Sequence, residues 1–309
     1  KMRRQALRGP CPSENIPFAF ASLGYGRVRS FIQGTSMVKY QDMGNLDGPV
    51  LLFGGPYSNL QAMDGLLTQA LELKIESSQM ICTGDVVAYC GDPSATTELM
   101  RDAKIALIAG NCERQLAAGA LDCGCGFEEG TACDILSAGW FSHAHRHISD
   151  SQREWMGALP DILSFRHAGL RYAVVHGGFT DIARFIWPTS DEQVIDDEWQ
   201  AIESEIGPVD GIVAGHSGLP FVRDTARGRW INAGVIGMPP HDGSVETRYM
   251  VLQEGELTLH RLSYDVKGAV SAMTQAGLAQ GYHRSLETGY WPSEDVLPCD
   301  LRRAAFANG

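Results

Sequence analysis

Four apolar runs in this chain end in side chains that can hold a metal ion. MICTGD ends in Asp85, IALIAGN in Asn111, YAVVHGG carries His176 and GIVAGHSG carries His216. Each run reads as a buried strand, and glycine stands beside the polar tip. Strand ends are rigid, and glycine lets neighbouring backbone approach closely. One Asp, one Asn and two His make a mixed oxygen and nitrogen site. Such a set suits Mn, Fe or Zn better than Ca or a thiolate-type zinc centre.

The surrounding pattern says how the tips are held. From Pro49 onward, strand and helix alternate. PVLLF, QMICT and IALIA read as strands, and the segments from Ser58, Pro93 and Glu113 read as the helices between and after them. This is the signature of parallel βαβ units. A Gly- and Cys-rich loop, ALDCGCGFEEGTACDI, interrupts it at 120–135. Helices are expected near 134–147 and 149–158, the second capped by SDSQ. The second half is strand-rich: ILSFRH and LRYAVV form a hairpin around AG, and GIVAG, LPFVRD, RGRWIN, TRYMVLQ and ELTLHRL follow with turns between them. The expected fold is α/β, with two mixed sheets packed face to face and helices outside. Residues 1–48 read as an irregular extension packed on the core, 49–265 as the domain, and 266–309 as its helical C-terminal extension.

Charge and composition narrow the function. The formal net charge is -12, which opposes sequence-independent nucleic-acid binding and attraction to an anionic membrane. No apolar run reaches the length of a transmembrane helix. The start, KMRRQALRGPCPSENIPF, lacks the apolar stretch of a signal peptide. The eight cysteines stand in a chain long enough to need no staples, so a reducing, cytoplasmic setting with free thiols is expected.

The ordered series of motifs resembles the calcineurin-like metallophosphoesterases, in particular their small bacterial and archaeal phosphodiesterase-type members. The family series runs GDxHGN, GDxV, GNHD/E, a HG strand end, GHTH and an NPGS-like turn. Here FGGPYSNL, TGDVVAYCGDP, AGNCE, VVHGG, AGHSGLP and WINAGVIGMP stand in that order across residues 49–262. The resemblance implies hydrolysis of a phosphomonoester or phosphodiester at a divalent-metal centre, with Asp85 as the bridging ligand and Asn111, His176 and His216 as ligands of one metal. The departures are systematic. Gly55 and Tyr57 replace the Asp and His of the first motif, Gly218 replaces the second His of GHTH, and Cys112 replaces the catalytic His. Random decay would strike both metal sites, whereas this pattern removes one and spares the other. A single-metal site is therefore expected, holding Mn, Fe or Zn.

The remaining candidates are weaker. Gly55, Tyr57, Asn59, Arg114 and Asn232 are the candidate phosphate-binding residues, and the Gly-Gly-Pro turn offers backbone N–H groups near a helix start. For Tyr57 the alternative is simple packing on the core, and for Arg114, Asp181 and Arg184 it is ordinary salt bridges. Cys90, Cys112, Cys123, Cys125 and Cys133 form a candidate thiolate cluster, although their spacing matches no standard iron–sulfur or zinc run, and the alternative is free thiols or one incidental disulfide. His143 and His147 share a face of an outer helix and read as surface residues. Three functions are compatible: a phosphoesterase with a remodelled site and a phosphorylated small molecule as substrate, an inactive descendant that binds a phosphorylated ligand or partner, or a cysteine-assisted metal- or redox-responsive protein. Oligomeric state is not encoded legibly.

Overall fold

The computed structural model describes residues 38–125, 127 and 129–303. Residues 38–296 pack as one compact unit, and residues 297–303, which belong to a second, hold a 3₁₀ turn at Cys299–Leu301. Most of the extension expected over 1–48 lies outside the described residues, but its last part is regular: β1 (Tyr40–Asn45) is a strand.

The chain then alternates as its pattern predicts. β2 (Val50–Phe53) is apolar at every position and buried on both faces. Val50 and Leu52 point one way and Leu51 and Phe53 the other, so the strand supports a core on each side. It leads to α1 (Leu60–Glu72), whose first turn is capped by Asn59 accepting from Ala62 N at 3.0 Å. β3 (Met80–Cys82), α2 (Pro93–Ala103), β4 (Ala106–Leu107) and α3 (Asn111–Ala118) follow. Pro93 opens α2 at a position where its missing N–H costs nothing. Next come α4 (Ala132–His147) and α5 (Asp150–Ala158), the latter entered through a reciprocal Ser149 and Gln152 cap. β5 (Ile162–His167) and β6 (Leu170–Val174) form the expected hairpin. α6 (Glu192–Ile206), β7 (Gly211–Ala214), β8 (Pro220–Asp224), β9 (Arg229–Ala233), β10 (Thr247–Gln253) and β11 (Glu256–Leu262) complete the sheets, and α7 (Val266–Gln275) and α8 (Tyr282–Thr288) close the unit.

The strands make two mixed sheets, β1-β5-β6-β7-β9-β8 and β11-β10-β2-β3-β4. β2, β3 and β4 are parallel in one, and β6, β7 and β9 are parallel in the other. Val50, Leu52 and Ile81 meet Val174, Val213 and Ile231 in the core between the sheets. The outer face of the five-stranded sheet packs on helices, with Met63, Leu66, Met100 and Phe141 buried there. The outer face of the six-stranded sheet packs on α6 through Ile195, Trp199 and Ile202. The result is helix, sheet, sheet, helix. No described helix is long and apolar enough to cross a membrane.

His143 departs from its expected surface position. It is buried, and its Nε2 lies 3.1 Å from the Gly91 carbonyl. α4 packs against α2, which turns that face inward.

Candidate metal centre and the pocket beside it

Each sheet contributes two of the four polar tips. Asp85 follows β3 and Asn111 opens α3 after β4, whereas His176 follows β6 and His216 follows β7. A bond between the sheets sets the chemistry of the cluster. His176 Nδ1 lies 2.6 Å from the Thr83 carbonyl oxygen. A carbonyl only accepts, so Nδ1 carries the proton and Nε2 presents a lone pair in the neutral ring. Three further atoms face that Nε2: Asn111 Oδ1 at 3.0 Å, His216 Nδ1 at 3.0 Å and Asp85 Oδ2 at 3.3 Å. The Asn111 amide is oriented by its other end, since Nδ2 donates to the Cys123 carbonyl at 2.9 Å.

Buried acceptors without donors are costly. All four residues are buried, and the ligating atoms of Asp85, His176 and His216 lie within 4.8 Å of one another. A second proton on His176 satisfies one neighbour, whereas a cation satisfies the whole set. The donor set therefore fits a divalent transition metal. Burial opposes the charge of Asp85, but His176 and His216 outweigh it and hold the carboxyl below its usual range. Burial and His176 push His216 down to about 3, leaving a neutral imidazole suited to ligation.

The backbone under Asp85 is bent to present it. Asp85 has φ 56, a left-handed conformation rare outside glycine, and strain of this kind collects at functional sites. Glu113 holds the bend. Its buried carboxylate accepts from Asp85 N at 2.8 Å, Gly110 N at 2.8 Å and Val87 N at 3.2 Å. Burial and the Asp85 charge push Glu113 up to about 7. Gly110 must be glycine here, because a Cβ would fall 2.2 Å from Asp85 Oδ1. Sequence reasoning missed the positioning role of Glu113. The signal was present as an acid three residues after a helix N-cap in GNCE.

The cysteines divide. Cys112 Sγ and Cys125 Sγ lie 3.5 and 3.4 Å from Asn111 Nδ2, and Cys123 is disulfide-bonded to Cys125. Among these five, one disulfide beside three free thiols matches the alternative expected to a thiolate cluster. Burial and Asp85 push the Cys112 thiol well up, so it stays protonated. Cys90 lies apart, facing the Gly237 carbonyl at 3.7 Å, and Cys133 lines the neighbouring pocket. The five thiols therefore do not form one cluster.

The other half of the site is aromatic. The Tyr57 ring lies over Gly55, where a Cβ would come within 2.5 Å of it. Tyr57 is buried, as the packing alternative expects, and it also walls the pocket. Trp291, from the C-terminal segment, stands beside Gly218, with 3.4 Å between its ring and a Cβ built there. Tyr89 packs edge-on to Tyr57 at 4.7 Å and tilts against Tyr282 at 4.4 Å. These rings, with Phe185 and His216, border a cavity of about 50 Å³.

The remaining candidates are engaged elsewhere. Asn59 caps α1 and donates to the Gly237 carbonyl at 3.1 Å. Asn232 donates to Ser217 Oγ at 2.8 Å and accepts from Gly234 N at 3.0 Å, tying two loops together. Arg114 pairs with Asp161 at 2.5 Å and donates to the Leu159 carbonyl at 2.9 Å. Arg184 pairs with buried Glu198 at 2.8 Å, and Asp181 accepts from Ala183 N.

Comparison with known proteins gives the family and agrees with the fold. The profile described as the calcineurin-like phosphoesterase superfamily domain matches residues 62–255. An uncharacterized protein of Methanocaldococcus jannaschii is 25% identical over 244 residues, spanning 72% of this chain and 91% of its own. A metallophosphoesterase from Sphaerobacter thermophilus superposes with a TM-score of 0.61 at 18% identity, over 79% of this chain and 100% of its own. A hypothetical protein from Pyrococcus horikoshii OT3 superposes with a TM-score of 0.62 at 16% identity, over 79% and 98%.

Proposed function

Because the chain belongs to the calcineurin-like phosphoesterase superfamily, we propose that it hydrolyses a phosphorylated small molecule at a single divalent-metal centre held by Asp85, Asn111, His176 and His216. The observation that carries this reading is the convergence of Asn111 Oδ1, His216 Nδ1 and Asp85 Oδ2 on Nε2 of His176. Mn, Fe or Zn suits these ligands. A bound ion supplies Lewis acidity to a phosphoryl oxygen. The protein's part is positioning. Thr83 fixes the His176 tautomer, Glu113 fixes the Asp85 loop, and the buried setting strengthens each charge interaction by excluding water.

Metal content per chain, measured on protein purified without chelators, tests the proposal. About one transition-metal ion per chain is expected, lost in His176→Ala. No metal after incubation with Mn or Zn overturns it. A second reading is favoured by Cys112, which stands where the family carries its acid: a protein that binds a phosphorylated ligand without turning it over. Full metal occupancy with no turnover of any phosphoester selects that reading.

A further inference from the structure

We propose that the aromatic pocket beside the metal centre takes the leaving group of the substrate, and that the substrate class is an aryl phosphoester. This rests on the phosphoesterase reading above and extends it to the half of the site that holds no metal ligand.

Two observations point the same way. First, the walls are rings. Tyr57, Tyr89, Tyr282, Trp291 and Phe185 border the space, and His216 joins it to the donor cluster. Phe185 lies 4.4 Å from the His216 ring, so the pocket begins where the metal ligands end. Flat aromatic walls select a flat aromatic guest through burial and ring contacts.

Second, the described lining residues include no lysine, arginine or carboxylate, and their one imidazole, His216, belongs to the donor cluster. The pocket therefore offers no fixed charge to an ionic group and suits an uncharged ring, whose phenol-type oxygen leaves readily because its anion is far more stable than an aliphatic alkoxide. In the balanced step, water adds its oxygen to phosphorus and the P–O(aryl) bond breaks. The electron pair leaves with the aryl oxide, and the proton from water goes to solvent.

The test compares two diesters on the Mn-loaded chain, methyl phenyl phosphate and methyl hexafluoroisopropyl phosphate. Their leaving groups have similar acidity, but only one is aromatic. The phenyl ester is expected to show about tenfold or higher kcat/KM, the scale of burying one ring. Ser293→Phe, or Val296→Phe should the first fail to fold, fills the pocket and should bring the ratio towards one. Equal kcat/KM for the two esters in the parent chain overturns the proposal.

If neither ester is turned over although metal is bound, the hydrolytic reading fails separately. Calorimetry then decides the pocket. Phenyl methylphosphonate binding about tenfold tighter than methyl methylphosphonate supports it, and equal affinity overturns it.

Discussion

Two halves of one site share a scaffold and differ in chemistry. The half at Asp85, Asn111, His176 and His216 is polar, and its acceptors point at one another. The half at Gly55, Tyr57, Gly218 and Trp291 is apolar, and its rings fill the space against one another and against backbone. Both are set by loops at the same end of the same two sheets. The polar half gathers more buried acceptors than one proton on His176 satisfies. The aromatic half is satisfied by contact. One half thus fits an ion, and the other offers room to an organic group.

The harshest way to break this contrast is to remove the one formal charge among the ligands. Asp85→Ala should lower turnover by on the order of 10³-fold, the scale of a lost charged contact to the transition state. Unchanged turnover would place the chemistry elsewhere. Glu113→Ala probes the support beneath the same half. It leaves the N–H groups of Asp85, Val87 and Gly110 without their acceptor, and should cost about 3 kcal/mol in a denaturant titration. A loss below about 1 kcal/mol would mean that water replaces the carboxylate.

Chelation sharpens the comparison without altering a residue. An ion bound across both sheets at 100 times its Kd stabilises the folded chain by about 2.7 kcal/mol. Removing it should lower the melting temperature by roughly 5–10 °C. The parent should respond and His176→Ala should not. The smallest effect is expected at Arg114, which lies outside both halves. Arg114→Ala breaks a partly exposed ion pair with Asp161 and should cost about 0.5–1 kcal/mol. KM should stay the same, and a rise in KM would return Arg114 to the phosphate.

Legibility in the sequence followed locality. The strand tips were readable because an apolar run, a glycine and a polar residue lie within six positions. The hairpin at Ala168 and Gly169 was readable for the same reason. β1 was not, because YQDMGN is an exposed edge strand with no apolar alternation to mark it. Burial of His143 depends on α2 packing against its helix, which the local pattern does not contain. Trp291 beside Gly218 was out of reach, since 73 positions separate them and only folding joins them. Arg114 looked available because it follows the Asn111 tip, yet α3 turns it towards Asp161 and away from the donor cluster. The three cysteines near Asn111 and the two elsewhere could not be told apart by spacing alone.

The ring over Gly55 also constrains the history this chain can follow. Placing an aspartate at 55 in one step drives its Cβ to 2.5 Å from the Tyr57 ring, at a backbone φ of 30 that disfavours any side chain. Placing a histidine at 218 points a second ring at Trp291, which already touches the first carbon. Neither substitution is accessible until its aromatic neighbour has changed first. The packing around residues 55 and 218 therefore works as a ratchet: it closes the one-step road to an aspartate or a histidine there and leaves sequence drift free to reshape the pocket instead.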